Sequence, residues 1–600
     1  MKKITLLCLK RDRSDTLETL RNMGVLHLEY IREPRGAGLE EARAAYEKAE
    51  SALNILEPYT RNNTKTQDTG LEEFPEASEL AEKVHDLADN RKKTAARLES
   101  LEKERRPLLP YGDFKPEAVR RLAGKGIIAR LFRDEPHSSE PAPEGALLFE
   151  LSRGSSGRYV AVIGTRDFDF PAAEFPLPER ALSDIDGEIS QLNDKLQKLD
   201  LELKDTARAR DRVDNLKTEL YDELRYAEAK ESMGEAGDIT WLEGFCPRDT
   251  VPALKDKASS IGWGLLVDDP SPDDRVPTLV QSPAWVRPVE PVLKFIDLLP
   301  GYREIDISSV FLIAFSIFFA MIVGDAGYGF VFLLMTAALK HFMKHLPRHA
   351  FQLLGILSVC TVAWGVATGT YFGFSPPRLR FLQISWIAEG NAIHDENFMT
   401  LCFFIGAVHL TVAHAWNGLR MINSTRALAQ VGWICITWAM YFLAGNLVFS
   451  KPLGPAFRPL LICGLIMVPV FMTPWRRLKT EWMGHVTLPF DVISSFVDLV
   501  SYVRLFAVGS ASVAVAMAAN ELAMGNGVNS WLAGLMAALI LFVGHAINII
   551  LCLMSVLVHD VRLNTLEFSG HIGVNWTGLP YSPFTLSVPG RNGNKQQHES

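Results

Sequence analysis

Hydrophobic and polar positions divide this chain into two halves near residue 300. Residues 1–300 are rich in Lys, Arg, Asp and Glu, whereas residues 307–566 are dominated by Leu, Ile, Val, Phe, Ala and Gly. Crossing a bilayer takes roughly 20 apolar residues. The apolar stretches of the second half are 308–339, 350–373, 398–419, 428–449, 457–473, 490–522 and 529–563. The pattern predicts a charged soluble half followed by a polytopic all-α membrane domain.

The first apolar stretch, 308–339, would be about 48 Å long as a single helix. Glycines around an aspartate favour a break within apolar surroundings, and the stretch contains Gly324, Asp325, Gly327 and Gly329. We therefore expect a structural helix break here, about eight transmembrane helices in all and both termini inside. This topology agrees with the positive-inside rule, because it puts Lys340, Lys344, Arg348, Arg420, Arg426, Arg476, Arg477 and Lys479 inside, against Arg378, Arg380 and Lys451 outside.

The soluble half carries a heptad seam, which indicates a coiled coil. Its apolar positions alternate in spacing between three and four residues: Leu182, Ile185, Ile189, Leu192, Leu196, Leu199 and Leu203. Strand-like alternation occurs near both ends of this half and again between the helical segments. These patterns predict a two-lobed α/β structure with an antiparallel coiled-coil arm. Whether the arm is a generic spacer, a dimerising coiled coil or a lever is left open by the pattern.

These elements give a multidomain organisation. The cytoplasmic domain is expected to cover 1–300, the membrane ion-translocation domain 301–570 and a C-terminal tail 571–600. Within the first, we expect a proximal α/β lobe (1–35 with 236–270), coiled-coil arms (36–110 and 177–235), a distal α/β lobe (111–176) and a linker (271–300).

Composition and short motifs exclude several kinds of site from the expected function. The apolar run at the N-terminus is too short for a signal peptide, so the soluble half is expected in the cytoplasm. The seven cysteines include no C-x-x-C pair, which argues against disulfides and a structural zinc site. The sequence has no G-x-x-x-x-G-K-[ST] loop, so ATP hydrolysis by the chain itself is not expected. We predict no cofactor, no metal site and no nucleic-acid partner.

Two arginines in the last apolar stretches are the strongest functional signal. Arg504 lies in the middle of 490–522, and Arg562 lies near the end of 529–563. An arginine in hydrocarbon costs about 2.5–3.5 kcal/mol on insertion scales. Because a guanidinium keeps its proton, Arg504 is a candidate electrostatic partner for a carboxylate that can lose one.

Other polar groups in these stretches are candidates for an ion path: Ser501, Asp498, Glu521, His545, Asn548 and Ser555. Glu521 and Asp498 lie near opposite ends of one stretch and would suit the mouths of two half-channels. Each group could instead make a headgroup-level or interhelical hydrogen bond. His409 and His414 are expected to be packing residues.

The residues after Arg504 are small: Ala507, Gly509, Ser510, Ala511, Ser512, Ala514 and Ala516. Small side chains let another helix approach closely. They either pack within this chain or form a surface that another subunit slides past.

Three motifs resemble those of one family, subunit I (also called subunit a) of V-type and archaeal-type rotary ATPases, in its prokaryotic form. They are LPGYREIDISSVFLIAFSIFFAMIVGDAGYG, SYVRLFAV and GHAINIILCLMSVLVHDVRLNTLEF. The resemblance covers essentially the whole chain. It implies a static, multi-pass subunit of a prokaryotic plasma membrane.

The resemblance also implies partners and roles. The partners would be a rotating ring whose subunits each carry an essential carboxylate, peripheral-stalk helices, a central-stalk collar subunit and the lipid bilayer. Arg504 would be the essential arginine between two aqueous half-channels, where it favours the ionised form of each passing ring carboxylate. The choice between H⁺ and Na⁺, and between synthesis and hydrolysis, stays open.

Alternatives remain for the role of Arg562, for the ion access path and for the function as a whole. Arg562 matches the family's second arginine and could cooperate with Arg504 or pair with Glu567. Ser512 and Cys552 stand where eukaryotic members tend to have histidine and glutamate, so the access path could be arranged differently. The rival functions are a stand-alone secondary transporter, for which internal repeats would be expected, and a membrane receptor with a coiled-coil sensor domain.

Overall fold

The computed structural model describes residues 1–60, 77–136, 138, 140–154, 157–343, 347–388, 393–474, 477–525, 527 and 530–587. Lys344 and Arg476, two of the charges used to predict the topology, lie outside the described residues. Residues 588–600 of the predicted C-terminal tail lie outside them too. The chain divides into two compact units, Met1–Asp269 with Pro583–Ser600, and Pro270–Ser582.

The first unit is a mixture of helices and antiparallel strands. Its described helices are α1 (Arg13–Met23), α2 (Ala37–Thr60), α3 (Ala77–Leu108), α4 (Pro116–Ala123), α5 (Leu182–Thr206), α6 (Arg210–Ser232) and α7 (Val251–Ile261). Its described strands are β1 (Lys2–Leu9), β2 (His27–Glu29), β3 (Ile128–Asp134), β4 (Ala146–Gly154), β5 (Gly157–Gly164), β6 (Ala173–Phe175), β7 (Gly234–Ala236), β8 (Ile239–Cys246) and β9 (Gly264–Asp268).

One sheet joins strands from both ends of the soluble sequence. Its order is β2-β8-β1-β9, with β7 also paired to β8, and every pairing is antiparallel. Side chains alternate between the faces of a strand, so Ile4 and Leu6 of β1 are buried while Leu7 and Leu9 are exposed. The buried face packs against α1 through Leu17.

A second sheet, of order β4-β5-β3-β6, is built from the middle of the sequence. Its core contains Phe132 and Val160, which lie opposite each other in β3 and β5. On the edge strand β4, the side chains of Leu147, Phe149 and Leu151 are exposed. Leu147 and Phe149 are two residues apart and share one face, whereas Leu151 lies where the register between β4 and β5 shifts.

Long helices connect the two sheets and pack in pairs, α2 with α6 and α3 with α5. Along α5, the predicted seam positions are all buried or half-buried. Two clusters mark this contact: Leu199 and Leu203 with Leu87, and Ile185 with Leu101. The side chains of the seam therefore form the helix–helix contact, and supercoiling of the pair stays a prediction.

The second unit is an assembly of apolar helices. Its described helices are α8 (Glu290–Phe295), α9 (Ser308–Val323), α10 (Ala326–Phe342), α11 (Arg348–Thr368), α12 (His394–Arg420), α13 (Arg426–Phe449), α14 (Phe457–Phe471), α15 (Met483–Ser501), α16 (Val503–Met524), α17 (Trp531–Ser555) and α18 (Ser569–Ile572). Between α17 and α18 the chain forms π-helical turns at Val556–Asp560 and Leu563–Phe568. Two short strands, β10 (Pro277–Thr278) and β11 (Leu579–Pro580), pair in parallel.

Among the described residues, five helical segments are long and apolar enough to cross a membrane: Arg348–Thr368, His394–Arg420, Arg426–Phe449, Met483–Met524 and Trp531–Ile572. Three shorter apolar helices are Ser308–Val323, Ala326–Phe342 and Phe457–Phe471. The eight-helix topology with both termini inside stays a prediction.

The chain bends between α9 and α10. Gly324 has a left-handed backbone with φ of 71°, and Asp325 is the N-cap of α10. The Asp325 carboxylate accepts hydrogen bonds from the backbone N–H groups of Gly327 at 2.7 Å and Tyr328 at 3.2 Å. Side-chain capping satisfies N–H groups that a helix start leaves free.

Candidate functional site

Arg504 lies in the first turn of α16, directly after the interruption at Tyr502 that separates α15 from α16. Its Nη1 donates a hydrogen bond to Glu567 Oε1 at 3.1 Å. The arginine side chain keeps 27% of its surface exposed, whereas that of Glu567 keeps 4%. The carboxylate is therefore buried more deeply than the arginine that binds it, and part of the Arg504 side chain remains exposed.

Arg562 and Ser501 reach the same carboxylate oxygen. The Nε atom of Arg562 is 3.5 Å from Glu567 Oε1, and this arginine is 52% exposed. The hydroxyl oxygen of Ser501 lies 3.3 Å from the same atom and 2.7 Å from the carbonyl oxygen of Asp498. Of the two alternatives for Arg562, the ion pair with Glu567 is present, and cooperation with Arg504 stays a prediction.

The backbone explains how Glu567 reaches Arg562. The π-helical turn at Leu563–Phe568 follows Arg562 directly. A π turn joins residues five apart, whereas an α-helix brings residues three and four apart to one face. Glu567 is five residues after Arg562, so π winding favours this pair.

A row of polar side chains begins at Asp498, and each lies within hydrogen-bond distance of the next. We call it the Asp498 network; its members are Asp498, His571, His414 and Gln430. His571 Nε2 lies 3.1 Å from Asp498 Oδ2, and His571 Nδ1 lies 3.0 Å from His414 Nε2. His414 Nδ1 continues the row to Gln430 Oε1 at 2.9 Å. Imidazole and carboxylate groups within hydrogen-bond distance can pass a proton along such a row.

Two further buried polar residues of this unit are His409 and Asp560. His409 Nδ1 is 2.8 Å from the Tyr502 hydroxyl, and its ring stacks on Phe568. The packing role expected for His409 agrees with this contact. His414 is also packed, because its ring is buried and stacks on Trp433, and it belongs to the Asp498 network as well. Asp560 is fully buried, and its Oδ1 accepts from Asn564 Nδ2 at 3.0 Å.

A second group of polar side chains lies further along α16 and α17, and we call Tyr328, His545, Asn548, Ser512 and Asn520 the Tyr328 network. The Tyr328 hydroxyl is 2.7 Å from His545 Nδ1 and accepts from Asn548 Nδ2 at 3.0 Å. His545 Nε2 is 3.2 Å from Asn520 Oδ1. Asn548 Nδ2 also donates to the Ser512 carbonyl oxygen at 2.8 Å.

Two further features border the Tyr328 network. Ser512 Oγ is 3.0 Å from Cys552 Sγ, so the two positions at which the sequence departs from eukaryotic members touch each other. A groove of about 330 Å³ is lined by Tyr328, Phe372, His545 and apolar side chains. His545 is therefore reachable from the surface of this unit.

The predicted site residues fall into three sets. Arg504, Arg562 and Ser501 meet at Glu567, Asp498 begins one network, and His545 and Asn548 belong to the other. Glu521 is exposed and Ser555 is half-buried; among the described contacts, neither joins these groups. Gly324, Asp325, Gly327 and Gly329 form the break that leads into Tyr328.

Sequence reasoning missed the roles of His571, Tyr328, Gln430 and Asp560. Tyr328 and Asp560 lie inside motifs that carried the family resemblance, which was the available signal. His571 lies in the predicted tail, where no periodic pattern points to a site.

The small residues of α16 divide between two faces. Gly509, Ser512 and Ala516 are buried, and a side chain on Gly509 would meet the backbone oxygen of Met321 at 2.5 Å. The exposed face is formed by Ala507, Ala511, Ala514 and Ala518, at spacings of four, three and four. Packing within this chain therefore accounts for the buried face, and a sliding surface for another subunit stays a prediction for the exposed one.

Among the described residues, no group of three or more His, Cys, Asp or Glu side chains is arranged to hold a metal ion.

Comparison with known proteins gives consistent relatives, although no family model matches the chain. "V-type ATP synthase subunit I 1" of Treponema pallidum (strain Nichols) is 30% identical over 619 residues, which cover 97% of this chain and 99% of the relative. "V-type ATP synthase subunit I" of Borreliella burgdorferi is 27% identical over 97% of this chain and 98% of the relative. A solved cytoplasmic N-terminal domain of subunit I, a homologue of subunit a of V-ATPase, matches 44% of this chain and 100% of that chain at 16% identity, with a TM-score of 0.20.

Proposed function

This chain belongs to the family of V-type ATP synthase subunit I, and from that premise we propose that it is the static membrane subunit of a rotary ATPase. In this proposal its apolar helical unit lies in a prokaryotic plasma membrane beside a rotating ring. Each ring subunit presents one carboxylate to α16, and ions reach that carboxylate through two half-channels. The soluble unit stays in the cytoplasm.

The observation that carries the proposal is the position of Arg504. Its side chain is partly exposed on a helix that also exposes Ala507 and Ala511, and its guanidinium is held by Glu567. A guanidinium stays protonated at working pH, and its charge favours the ionised form of a carboxylate within a few ångströms. A ring carboxylate that passes Arg504 would therefore release its ion.

The two polar networks support two separate half-channels. Asp498 and Asn520 are 22 residues apart, which corresponds to about 33 Å of helix against a hydrocarbon core of about 30 Å. Arg504 lies between them in the sequence, and no hydrogen bond among the described residues joins the Asp498 network to the Tyr328 network. We assign the Asp498 network to the cytoplasmic half-channel and the Tyr328 network to the opposite one. Glu521 and Ser555 stay further candidates for the ion path.

We assign the peripheral-stalk and central-stalk contacts to the soluble unit. Its helix α3 has 32 residues, or about 48 Å, which suits a rod that holds partners away from the membrane. The exposed apolar side chains of β4 add a surface of the kind that protein partners cover. A stand-alone transporter or receptor is not favoured, because relatives matching nearly the whole chain are named as ATP synthase subunits.

The proposal is tested by Arg504→Ala in the assembled complex. We expect ATP-driven ion uptake into inverted membrane vesicles to fall at least about a hundredfold, because ring carboxylates would no longer be driven to release their ions. The amount of assembled complex should not change. Arg420→Ala, which removes an exposed arginine outside the site, serves as the control and should pump normally. Normal coupled pumping by Arg504→Ala would refute the proposal.

A further inference from the structure

We propose that Glu567 is a positioning residue that sets the net charge of the arginine site at one positive charge. The inference rests on the proposed function, because the charge acts on a ring carboxylate. The site contains two guanidinium groups, Arg504 and Arg562, and one carboxylate, Glu567. This charge sum decides how firmly each passing carboxylate is held.

The contacts of Glu567 are unusual for a buried acid. Its Oε1 meets Arg504 Nη1 at 3.1 Å, Arg562 Nε at 3.5 Å and Ser501 Oγ at 3.3 Å. Its Oε2 is buried and has no hydrogen-bond partner among the described residues. A buried carboxylate is costly unless opposite charges compensate it. The two arginines supply that compensation, so the carboxylate is bound to them as part of one charged group.

Exposure shows how this group is oriented. Glu567 is 4% exposed, against 27% for Arg504 and 52% for Arg562. An acidic side chain that approaches from outside meets the guanidinium groups first and the carboxylate behind them. Glu567 therefore weakens the attraction from beneath without blocking access.

The charge sum has an optimum because a ring carboxylate must both arrive and leave. With two net positive charges, attraction would hold the ionised carboxylate too firmly and slow its departure. With no net charge, the site would neither favour the ionised form nor repel cations that leak along the interface. Electrostatic energies change strongly with each unit charge at a few ångströms when water is partly excluded.

A purely structural role for Glu567 can be separated from this one. Glu567→Gln keeps an oxygen that can accept from Arg504, so the side chain can still hold the guanidinium in place. It removes the negative charge and leaves the site with two positive charges. Arg562→Gln makes the opposite change, and the double variant returns the sum to one.

The test compares Glu567→Gln, Arg562→Gln and the double variant in the full complex, with initial rates of ATP-driven ion uptake in vesicles expressed per assembled complex. We expect each single variant to pump about tenfold or more slowly and the double variant to recover to within about threefold of the natural protein. A double variant no faster than the slower single variant would overturn the inference. So would an unchanged rate in either single variant.

The matched control is another carboxylate between two arginines. Glu481 Oε2 is 2.7 Å from Nη2 of Arg426, the first residue of α13, and Glu481 Oε1 is 3.8 Å from Arg477 Nη1. All three side chains are considerably more exposed than Glu567. Glu481→Gln should leave the pumping rate unchanged, since solvent screens this group. A comparable loss of pumping in Glu481→Gln would mean that the Glu567 effect is not specific to the site and would overturn the inference.

Arg504→Ala separates this inference from the proposed function. If Arg504→Ala stops pumping while the double variant fails to recover, the inference is wrong and the proposed function stands. If Arg504→Ala pumps normally, both are wrong.

Discussion

At the residue scale, Asp325 fixes two distant segments with one carboxylate. Besides the N–H groups of Gly327 and Tyr328, it accepts from Phe372 N at 2.8 Å through Oδ1 and from Gly373 N at 2.8 Å through Oδ2. The second pair lies in a turn where Phe372 itself has a positive φ of 52°. The same helix carries Tyr328, so Asp325 determines where the Tyr328 network begins.

We predict that Asp325→Asn destabilises the apolar unit by about 1–3 kcal/mol, the cost of leaving buried donors without acceptors. An amide offers only one acceptor oxygen, and its NH₂ group would face an N–H donor. A lower thermal unfolding midpoint of the full protein in detergent would confirm this.

Asp395→Asn is the control for that substitution, because Asp395 is exposed in the first turn of α12. Its midpoint should stay close to that of the natural protein. Equal midpoints for Asp325→Asn and Asp395→Asn would contradict the structural role of Asp325.

This residue also shows what the sequence could and could not predict. Three glycines around an aspartate predict the break, because glycine preference is local. The contacts to Phe372 and Gly373 could not be predicted, because they depend on a turn 47 and 48 residues away. Arg504 was predictable from the cost of a charge in an apolar stretch, whereas Glu567 at its inner side depends on the π turn.

At the element scale, α16 packs inward with one face and leaves the other open. The inward face meets α9, α12 and α17, and the open face contains Ala507, Ala511, Ala514 and Ala518. A helical period of 3.6 residues separates these faces, but small side chains occur on both, and the exposed side also carries Val515 and Met517. The positions of the small residues therefore could not predict which face is open.

We predict that Ala511→Trp slows ATP-driven ion uptake by about tenfold or more, because an indole on the open face would block passing ring helices. The rate per assembled complex in vesicles is the measurement. Val359→Trp, at an exposed apolar position of α11, adds the same bulk elsewhere and should not slow uptake. Unimpaired uptake by Ala511→Trp would exclude this face as the ring contact.

At the scale of the whole molecule, the chain returns to its first unit at the end. Phe584 is 2% exposed in the core that contains Leu17 and Leu20, and its N–H donates to the Leu26 carbonyl oxygen at 2.8 Å. Asp222 accepts from the Ser587 N–H at 2.6 Å and from its hydroxyl at 2.7 Å. The first unit is thus completed by residues from both ends of the sequence.

Only some of the contacts that assemble the first unit could be predicted from the sequence. The alternation in β1 and β8 was visible because one face of each strand is buried, and their pairing could be anticipated from it. The segment around Phe584 appeared only as a tail, because a single buried phenylalanine among Pro, Ser and Thr produces no period. Its partners, such as Leu26 and Asp222, are hundreds of residues away in the sequence.

We predict that Phe584→Ala destabilises the first unit by about 3–5 kcal/mol, the usual cost of removing a buried phenylalanine. The loss should be local, so amide hydrogen exchange of the full protein should accelerate in α1 and β2, which touch the segment, and not in α12. Leu586→Ala is the matched control, since Leu586 is 42% exposed in the same segment, and it should leave exchange unchanged. Equal exchange rates in α1 and β2 for Phe584→Ala and Leu586→Ala would mean that the segment only lies on the surface of the first unit. Faster exchange in Phe584→Ala alone would mean that the segment is part of the core of that unit.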